Sequence, residues 1–100
     1  MYADGADEVV VRDNPERQRY EAYLGSTLVG HATYHSQPGI LTVLDTQVDE
    51  QVEGRGVGSQ LVRGMLEDVR RRDAKVLPVC PFVRAFLQRH PEHADIVWKP

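Results

Sequence analysis

The segment 53–62 has the residue types and spacing with the clearest chemical meaning in this sequence. Gly54, Gly56 and Gly58 stand at alternate positions, so the backbone carries little side-chain bulk, and an apolar stripe of helical period begins at Leu61. The first N–H groups of a helix have no partner inside the helix and lie at the positive end of its dipole. A glycine-rich turn that opens a helix therefore predicts a site for a phosphate or pyrophosphate group.

Two familiar glycine motifs do not match this segment. The dinucleotide fingerprint Gly-x-Gly-x-x-Gly requires a third glycine where this sequence has Ser59, counting from Gly54, or Leu61, counting from Gly56. The P-loop requires a Gly-Lys pair, and the sequence contains none. Both motifs also belong to chains of alternating strands and helices, whereas this loop follows a run of predicted antiparallel strands.

Cys80 is a second candidate for chemistry. It precedes Pro81, which suits the first turn of a helix, so the thiol is predicted to lie at a helix N-terminus, where partial positive charge stabilises a thiolate. Such a group could act as a nucleophile or, as a thiol, as a proton donor. A free cysteine is also commonly a small buried core residue, and the sequence leaves both interpretations open.

Other titratable residues have both a chemical and a structural interpretation. Asp45 is either a base or a carboxylate at the end of a strand, and Tyr34 is either a proton donor or a core or surface residue of its strand. His31 and His35 lie at even spacing on one strand face. Two histidines without a third ligand do not predict a metal site. His93 stands in a polar turn, where we expect it to be solvated.

Length and composition limit the classes of protein. The 100 residues, 41% hydrophobic and 27% charged, predict one globular domain over 8–98 after a loose tail over 1–7. A net charge of −3 without a basic stripe argues against a nucleic-acid partner. No apolar stretch approaches the ~20 residues needed to cross a membrane. A lone cysteine indicates a reducing, cytoplasmic setting, and we expect a monomer or weak dimer.

Hydrophobic patterning predicts the order of helices and strands. Strands are predicted in the first half over 8–13, 17–24, 27–35 and 40–48. A stripe of period 3.6 predicts a helix over 56–72, followed by a short strand over 75–79, a helix that begins at Pro81 and a final edge strand over 95–98. The strand–helix–strand unit should be a parallel crossover. The predicted fold class is therefore α+β, a mixed, mainly antiparallel sheet with helices packed on it.

The order of elements and two motifs make the sequence resemble the GNAT superfamily of N-acetyltransferases. The segment 53–59 is similar to that family's acetyl-CoA loop, Gln/Arg-x-x-Gly-x-Gly/Ala, and the Cys-Pro-Phe-Val run at 80–83 is similar to a minimal, single-domain subgroup. The resemblance covers 8–98 and implies a GNAT-like fold without the superfamily's first helices. It also implies that acetyl-CoA is the cosubstrate and that the acceptor is a primary amine of a small molecule or a protein.

The resemblance implies roles for particular residues. The amides that should receive the CoA pyrophosphate belong to Gly54, Arg55, Gly56, Val57, Gly58 and Ser59. The backbone that should pair with the pantetheine arm belongs to Thr46, Gln47 and Val48, on a strand that separates from the next one in this superfamily. Cys80 should lie near the thioester. The apolar wall beside the arm should come from residues that can also be core: Phe82, Val83 and Phe86.

Two residues depart from the family's pattern. Glu53 stands where the pattern has glutamine or arginine, and its carboxylate would oppose a pyrophosphate unless it points to solvent and caps the loop. Gln47 stands where close relatives have glutamate, and an amide cannot accept a proton. If that glutamate is a base in relatives, this chain must use Asp45, a water relay or no base.

The sequence therefore predicts an acetyl-CoA-dependent N-acetyltransferase that acts directly or through Cys80. The alternative is a non-catalytic module that binds CoA or acyl-CoA and has lost the base. A third interpretation is an interaction domain whose glycines serve only close packing of a strand against a helix.

Overall fold

The computed structural model describes residues 8–100, so the predicted tail over 1–7 lies outside the described residues. The strands are β1 (Val9–Asn14), β2 (Arg19–Leu24), β3 (Thr27–Gln37), β4 (Ile40–Val48) and β5 (Lys75–Pro78). The α-helices are α1 (Val57–Arg71) and α2 (Pro81–Arg89), and two 3₁₀ helices span Glu50–Val52 and Pro91–Ile96. Among the described residues, no helix has the length and apolar character required to cross a membrane.

The five strands form one sheet in chain order, β1-β2-β3-β4-β5. The first four strands pair antiparallel, and β4 pairs with β5 in parallel across the α1 crossover. Gly25 and Gly39 lie in the turns before β3 and β4 with φ of 60° and 77°, a conformation that glycine adopts at little cost. The predicted fold, a mixed and mainly antiparallel sheet with helices packed on it, is therefore confirmed.

The hydrophobic core lies between α1 and one face of the sheet. The helix contributes a stripe of almost fully buried side chains: Val57, Leu61, Val62, Met65, Leu66 and Val69. Tyr20, Ala32 and Val43 are among the sheet residues in the same cluster. Gly64 allows a very close approach, because a Cβ atom at that position would lie 2.7 Å from Cβ of Val11 on β1.

The opposite face of β1–β4, which we call the open face, carries a row of polar side chains. Arg12, Glu21, His31 and Gln47 are successive cross-strand partners in β1, β2, β3 and β4, so they lie on the same face. Side chains alternate between the two faces of a strand, and Ala32, the residue after His31, is fully buried in the core. The row therefore lies on the face opposite the core.

The end of the chain differs from the prediction of an edge strand over 95–98, which is wrong. Pro91–Ile96 forms a 3₁₀ helix instead. Only Val97 bridges to the sheet, in parallel to Val76, and the N–H of Trp98 donates to the Val76 carbonyl at 2.8 Å.

Two buried side chains account for this difference. Residues three apart lie above one another in a 3₁₀ helix, and His93 and Ile96 have this spacing. Both are buried, with 8% and 4% of their surface exposed. The expectation that His93 is solvated is therefore wrong, because tertiary packing turns this apparently polar turn toward the core.

Candidate functional site

Two glycines in the left-handed region shape the loop between β4 and α1. Gly54 and Gly56 adopt φ of 83° and 76°, which a residue with a side chain adopts only with strain. Val52 anchors the loop. It is fully buried, and its carbonyl accepts a hydrogen bond from the N–H of Arg55 at 3.2 Å. The path of the loop is thus fixed by its backbone and by one apolar anchor.

The start of α1 presents main-chain N–H groups that have no acceptor within the helix. Gly56 is the N-cap residue and supplies no side-chain cap. The first intrahelical bond runs from the N–H of Gln60 to the Gly56 carbonyl at 3.1 Å, so the N–H groups of Val57, Gly58 and Ser59 precede it. N–H groups in this position, at the positive end of a helix, suit an anionic ligand.

A recess of about 230 Å³ lies beside this loop. Phe82, which is 39% exposed, forms one wall and packs onto Gly58, where a Cβ atom would lie 2.8 Å from the phenyl ring. The rest of the lining comes from Val48, Val52, Glu53, Gly54, Gly56, Val57, Gly58 and Ser59. The recess therefore combines an apolar wall with the main chain of the glycine loop.

The strands β4 and β5 separate next to this recess. Their pairing ends at Val43 and Pro78, and the Val43 carbonyl accepts hydrogen bonds from both Val79 N–H (3.0 Å) and Cys80 N–H (2.9 Å). Strand β4 continues to Val48, whereas the chain after Cys80 turns into α2. The edge of β4 beyond Val43 consequently faces a gap.

Strand geometry shows which main-chain groups face this gap. The N–H of Asp49 donates to the Val29 carbonyl at 2.8 Å, and the Gln47 carbonyl lies 3.0 Å from a Cβ atom built on Gly30. Both groups are therefore directed toward β3. Because the direction alternates along a strand, the main-chain groups of Thr46 and Val48 are directed toward the gap.

Cys80 and Thr46 lie on opposite sides of the gap, and their side chains are in contact. The Cys80 thiol is 3% exposed, and its Sγ atom lies 3.4 Å from Oγ1 of Thr46, within hydrogen-bond distance for sulfur. Cys80 is the N-cap residue of α2, with Pro81 in the first turn as the sequence predicted. Cys80 is therefore buried, and its thiol also lies at the margin of the gap.

The remaining residues predicted for this site lie in two other environments. Asp45 and Gln47 are exposed, and Nε2 of Gln47 donates to Oδ2 of Asp45 at 3.0 Å. Gln47 follows Thr46 along β4 and therefore lies on the open face, away from Cys80. Val83 and Phe86 have no exposed surface and belong to the core, so neither lines the recess.

Tyr34 lies in a polar network at the far end of α1. Its hydroxyl donates to Oδ1 of Asp13 at 2.6 Å, and burial, followed by this hydrogen bond, raises the pKa of the phenol. Arg72, which caps the C-terminal end of α1, holds Asp13 at 2.9 Å and Asp68 at 2.9 Å. Tyr34 therefore joins the sheet to the helix end that is remote from the glycine loop.

Sequence reasoning missed a buried carboxylate on the open face. Glu21 is 5% exposed and accepts hydrogen bonds from Arg19 (2.7 Å), Tyr23 (2.8 Å) and Asn14 (3.1 Å). Burial alone would raise the pKa of Glu21, but these hydrogen bonds outweigh it and hold the pKa below its ordinary value. The alternation of Arg19, Glu21 and Tyr23 indicates that these three side chains share one face of β2. Only the strand register shows that His31 is the partner of Glu21 on that face.

The separating strands and the glycine-rich start of α1 give this molecule the architecture of an acyltransferase domain. The chain belongs to the GCN5-related N-acetyltransferase family, whose model matches residues 19–96. The members of this family are acyltransferases, as the sequence predicted. No curated protein sequence matches the chain.

Solved structures share this fold. A GCN5-like protein from Staphylococcus aureus, solved by NMR, is 18% identical with a TM-score of 0.69, covering 97% of this chain and 93% of that one. The IAA acetyltransferase from Bacillus cereus is 15% identical with a TM-score of 0.59, covering 82% and 75%. A Bacillus subtilis acetyltransferase solved in complex with CoA is 17% identical with a TM-score of 0.56, covering 82% and 72%.

Proposed function

We propose that this protein transfers an acetyl group from acetyl-CoA to a primary amine of a small molecule or a protein. The observation that carries the proposal is the free edge of β4, which faces a gap next to the glycine loop and includes the Thr46–Cys80 contact. A strand edge can pair with an extended amide-containing arm, and the loop can hold a phosphate group at the end of that arm.

The loop and the strand edge would bind different parts of acetyl-CoA. The main-chain N–H groups proposed to receive the pyrophosphate are those of Gly54, Gly56, Val57, Gly58 and Ser59. The N–H of Arg55, expected from the sequence to share this role, instead donates to the Val52 carbonyl at 3.2 Å. The exposed side chain of Glu53 has room to point to solvent. Thr46 and Val48, rather than Gln47, have main-chain groups directed toward the gap and would pair with the pantetheine amides. Phe82 would cover the arm as the apolar wall.

The reaction then follows one of two routes. In direct transfer, the amine attacks the thioester carbon, and main-chain N–H groups on the β4 edge stabilise the oxyanion. In the second route, the Cys80 sulfur attacks first, the C–S bond to CoA breaks, and the acetyl group passes from Cys80 to the amine. The position of the thiol, at the margin of the gap and 3.4 Å from the Thr46 hydroxyl, supports testing both routes.

CoA binding can be tested with two glycines of matched geometry. Gly54 and Gly39 have φ of 83° and 77°, and a Cβ atom at either position meets nothing within 4 Å. Alanine should therefore strain both positions equally, but only Gly54 belongs to the loop. We expect Gly54→Ala to weaken CoA binding about tenfold or more and Gly39→Ala to leave it unchanged, measured by amide shifts of 54–59 during CoA titration. Equal effects of both variants, or no shifts in the wild type, would contradict the proposal.

The two routes are separated by Cys80→Ala. Direct transfer predicts unchanged turnover in this variant, whereas the covalent route predicts loss of turnover and an acetylated Cys80 in the wild type, detected by mass spectrometry after mixing with acetyl-CoA. Ser59→Ala, which keeps the loop amides, is a control for the effect of a substitution near the site.

A non-catalytic CoA-binding module is the second candidate function. Its support is Gln47, whose amide cannot accept a proton, next to a carboxylate that is exposed and already hydrogen-bonded to it. Tight CoA binding without acetyl transfer to any amine in a broad panel would favour this candidate over the first.

A further inference from the structure

We infer that His31 is the base that takes a proton from the acceptor amine, and that the amine reaches the thioester from the open face of the sheet. This inference rests on the proposed function. It is carried by the pairing of His31 with Gln47 at the free end of β4 and by a recess that both residues line.

An amine acceptor requires a base because a primary amine is protonated at neutral pH. Gln47 cannot serve, since an amide has no basic nitrogen. The carboxyl groups of aspartate residues ordinarily titrate near ~3.9 and imidazoles near ~6.5, so an imidazole is better matched to proton transfer near pH 7. His31 and His35 are the two histidines on this face, and only His31 lies at the end of the sheet where β4 faces the gap.

A recess of about 270 Å³ places His31 next to the free end of β4. His31 and Gln47 are cross-strand partners, and both line this recess together with Leu28, Gly30, Val48 and Asp49. Val48 also lines the recess beside the glycine loop, so the two recesses share a lining residue at the end of β4. Neighbouring strands lie ~5 Å apart, which brings the imidazole within reach of a nitrogen at β4 directly or through one water.

The lining of this recess indicates the class of acceptor. Among the described residues that line it there is no lysine or arginine, and Asp49 contributes a carboxylate. Leu28, which is 38% exposed, provides an apolar surface at the same place. These features suit a primary ammonium group attached to an apolar chain or ring.

Glu21 is the cross-strand partner of His31 on β2, and its carboxylate is paired with Arg19 at 2.7 Å. The titratable and charged groups that face His31 from the surrounding strands are Arg12, Arg19, Glu21, Tyr23, Asp45 and Asp49.

The step balances without any further reactant. The acceptor enters as an ammonium ion, and His31 takes one proton from its nitrogen. The neutral amine attacks the thioester carbon and forms the C–N bond. The C–S bond breaks, the surplus proton on nitrogen passes to the departing thiolate, and CoA leaves as the thiol. The imidazolium gives its proton to solvent, so one proton is released for each acetyl group transferred.

The test compares two histidines on the same face of the same strand. Acetyl transfer to tyramine, spermidine and a lysine-containing peptide is measured from pH 5 to 9 for the wild type, His31→Gln, His35→Gln and Asp45→Asn. For an acceptor that the wild type uses, His31→Gln should lower kcat/KM by about 100-fold or more and remove the acidic limb of its pH profile. His35→Gln should leave both unchanged.

CoA titration and thermal unfolding of each variant show whether it is folded and binds the cofactor. His31→Gln with wild-type CoA affinity, turnover and pH profile would overturn the inference and leave the proposed function standing. Loss of turnover in Asp45→Asn but not in His31→Gln would overturn it in favour of Asp45. A wild type that binds CoA and acetylates none of the three amines would overturn the inference together with the proposed function.

Discussion

His93 has both ring nitrogens buried without a hydrogen-bond partner among the described residues. Its ring lies 6.0 Å from that of Phe86, whose other neighbours are His90 at 4.2 Å and the guanidinium of Arg63 at 5.6 Å. A buried polar atom without a partner costs roughly 1–3 kcal/mol relative to one that is satisfied. The histidine therefore contributes packing to the core at the expense of desolvating two nitrogens.

Replacing His93 by an apolar side chain should stabilise the fold. We expect His93→Leu to raise the free energy of unfolding by about 1 kcal/mol, which corresponds to an increase in Tm of roughly 4–8 °C for a domain of this size. His90→Leu is the matched control, since His90 is half-buried, stacks on Phe86 and lies 3.4 Å from Glu92. It should show no such gain. A fall in Tm for His93→Leu would show that the imidazole makes a polar contact in solution.

At the scale of elements, the position of α1 depends on one helical glycine. The helix passes so close to β1 that a Cβ atom at Gly64 would lie 2.7–3.1 Å from three side-chain atoms of Val11. Real Cβ atoms essentially never approach this closely, so an added methyl group must displace the helix or the strand.

Gly64→Ala should therefore destabilise the protein although alanine favours helix formation. Overpacking costs about 1–3 kcal/mol, against about 1 kcal/mol gained in helix propensity, so a net loss of roughly 1 kcal/mol is expected in chemical unfolding. The steric explanation is tested by repeating the substitution in a Val11→Gly background, which removes all three clashing atoms, including Cβ. In that background Gly64→Ala should be neutral or stabilising. An equal loss in both backgrounds would contradict the steric explanation.

Beyond Val43, the two edges of β4 have different neighbours. One edge continues to pair with β3 as far as Val48, and the other faces the gap because Val79 and Cys80 both bond to the single Val43 carbonyl. The separation is therefore fixed by main-chain hydrogen bonds rather than by a bulky side chain between the strands.

At the scale of the whole molecule, the C-terminal segment is attached to α1 by a charged pair. Arg70 donates to both carboxylate oxygens of Asp95 at 2.6 and 2.9 Å, and Lys75 Nζ donates to the Asp95 carbonyl at 2.9 Å. The hydrogen bonds from Arg70, more than its charge, lower the pKa of Asp95 to about 2. Both partners are exposed, so the effect of this pair should be sensitive to salt.

This pair predicts a pH-dependent difference in stability. Because the pKa of Asp95 is lower in the folded state, the pair stabilises the fold above the ordinary aspartate pKa of ~3.9 and loses this effect as the pH falls toward 2. The Tm of the wild type should exceed that of Asp95→Asn at pH 6, and the difference should vanish near pH 2 and shrink in 1 M salt. Asp73→Asn, at an exposed carboxylate after α1, should show no such difference. A difference independent of pH would exclude the ionic explanation.

The sequence predicted the elements better than it predicted their neighbours. The β-branched run after Pro38-Gly39 defined β4 over the residues that the structure shows, and the apolar stripe placed α1 within one residue at each end. The strand predicted at the chain end was wrong, because burial of His93 and Ile96, a tertiary effect, outweighs the local polarity of the sequence.

The row Glu21–His31–Gln47 could not be predicted, because strand register decides which residues become neighbours. Irregularities between Ala22 and Tyr23 and between Thr33 and Tyr34 shift this register without a clear mark in the sequence. The Thr46–Cys80 contact was equally hidden, since the two residues are 34 positions apart and meet only where the sheet opens.

The row on β1–β4 that faces away from α1 has a consequence for how new acceptors could be engineered. Neither Arg12 nor Gln47 contributes to the packed interior, which is assembled from the reverse side of the same strands. Substitutions at these two positions could thus change substrate preference without lowering the thermal stability of the domain.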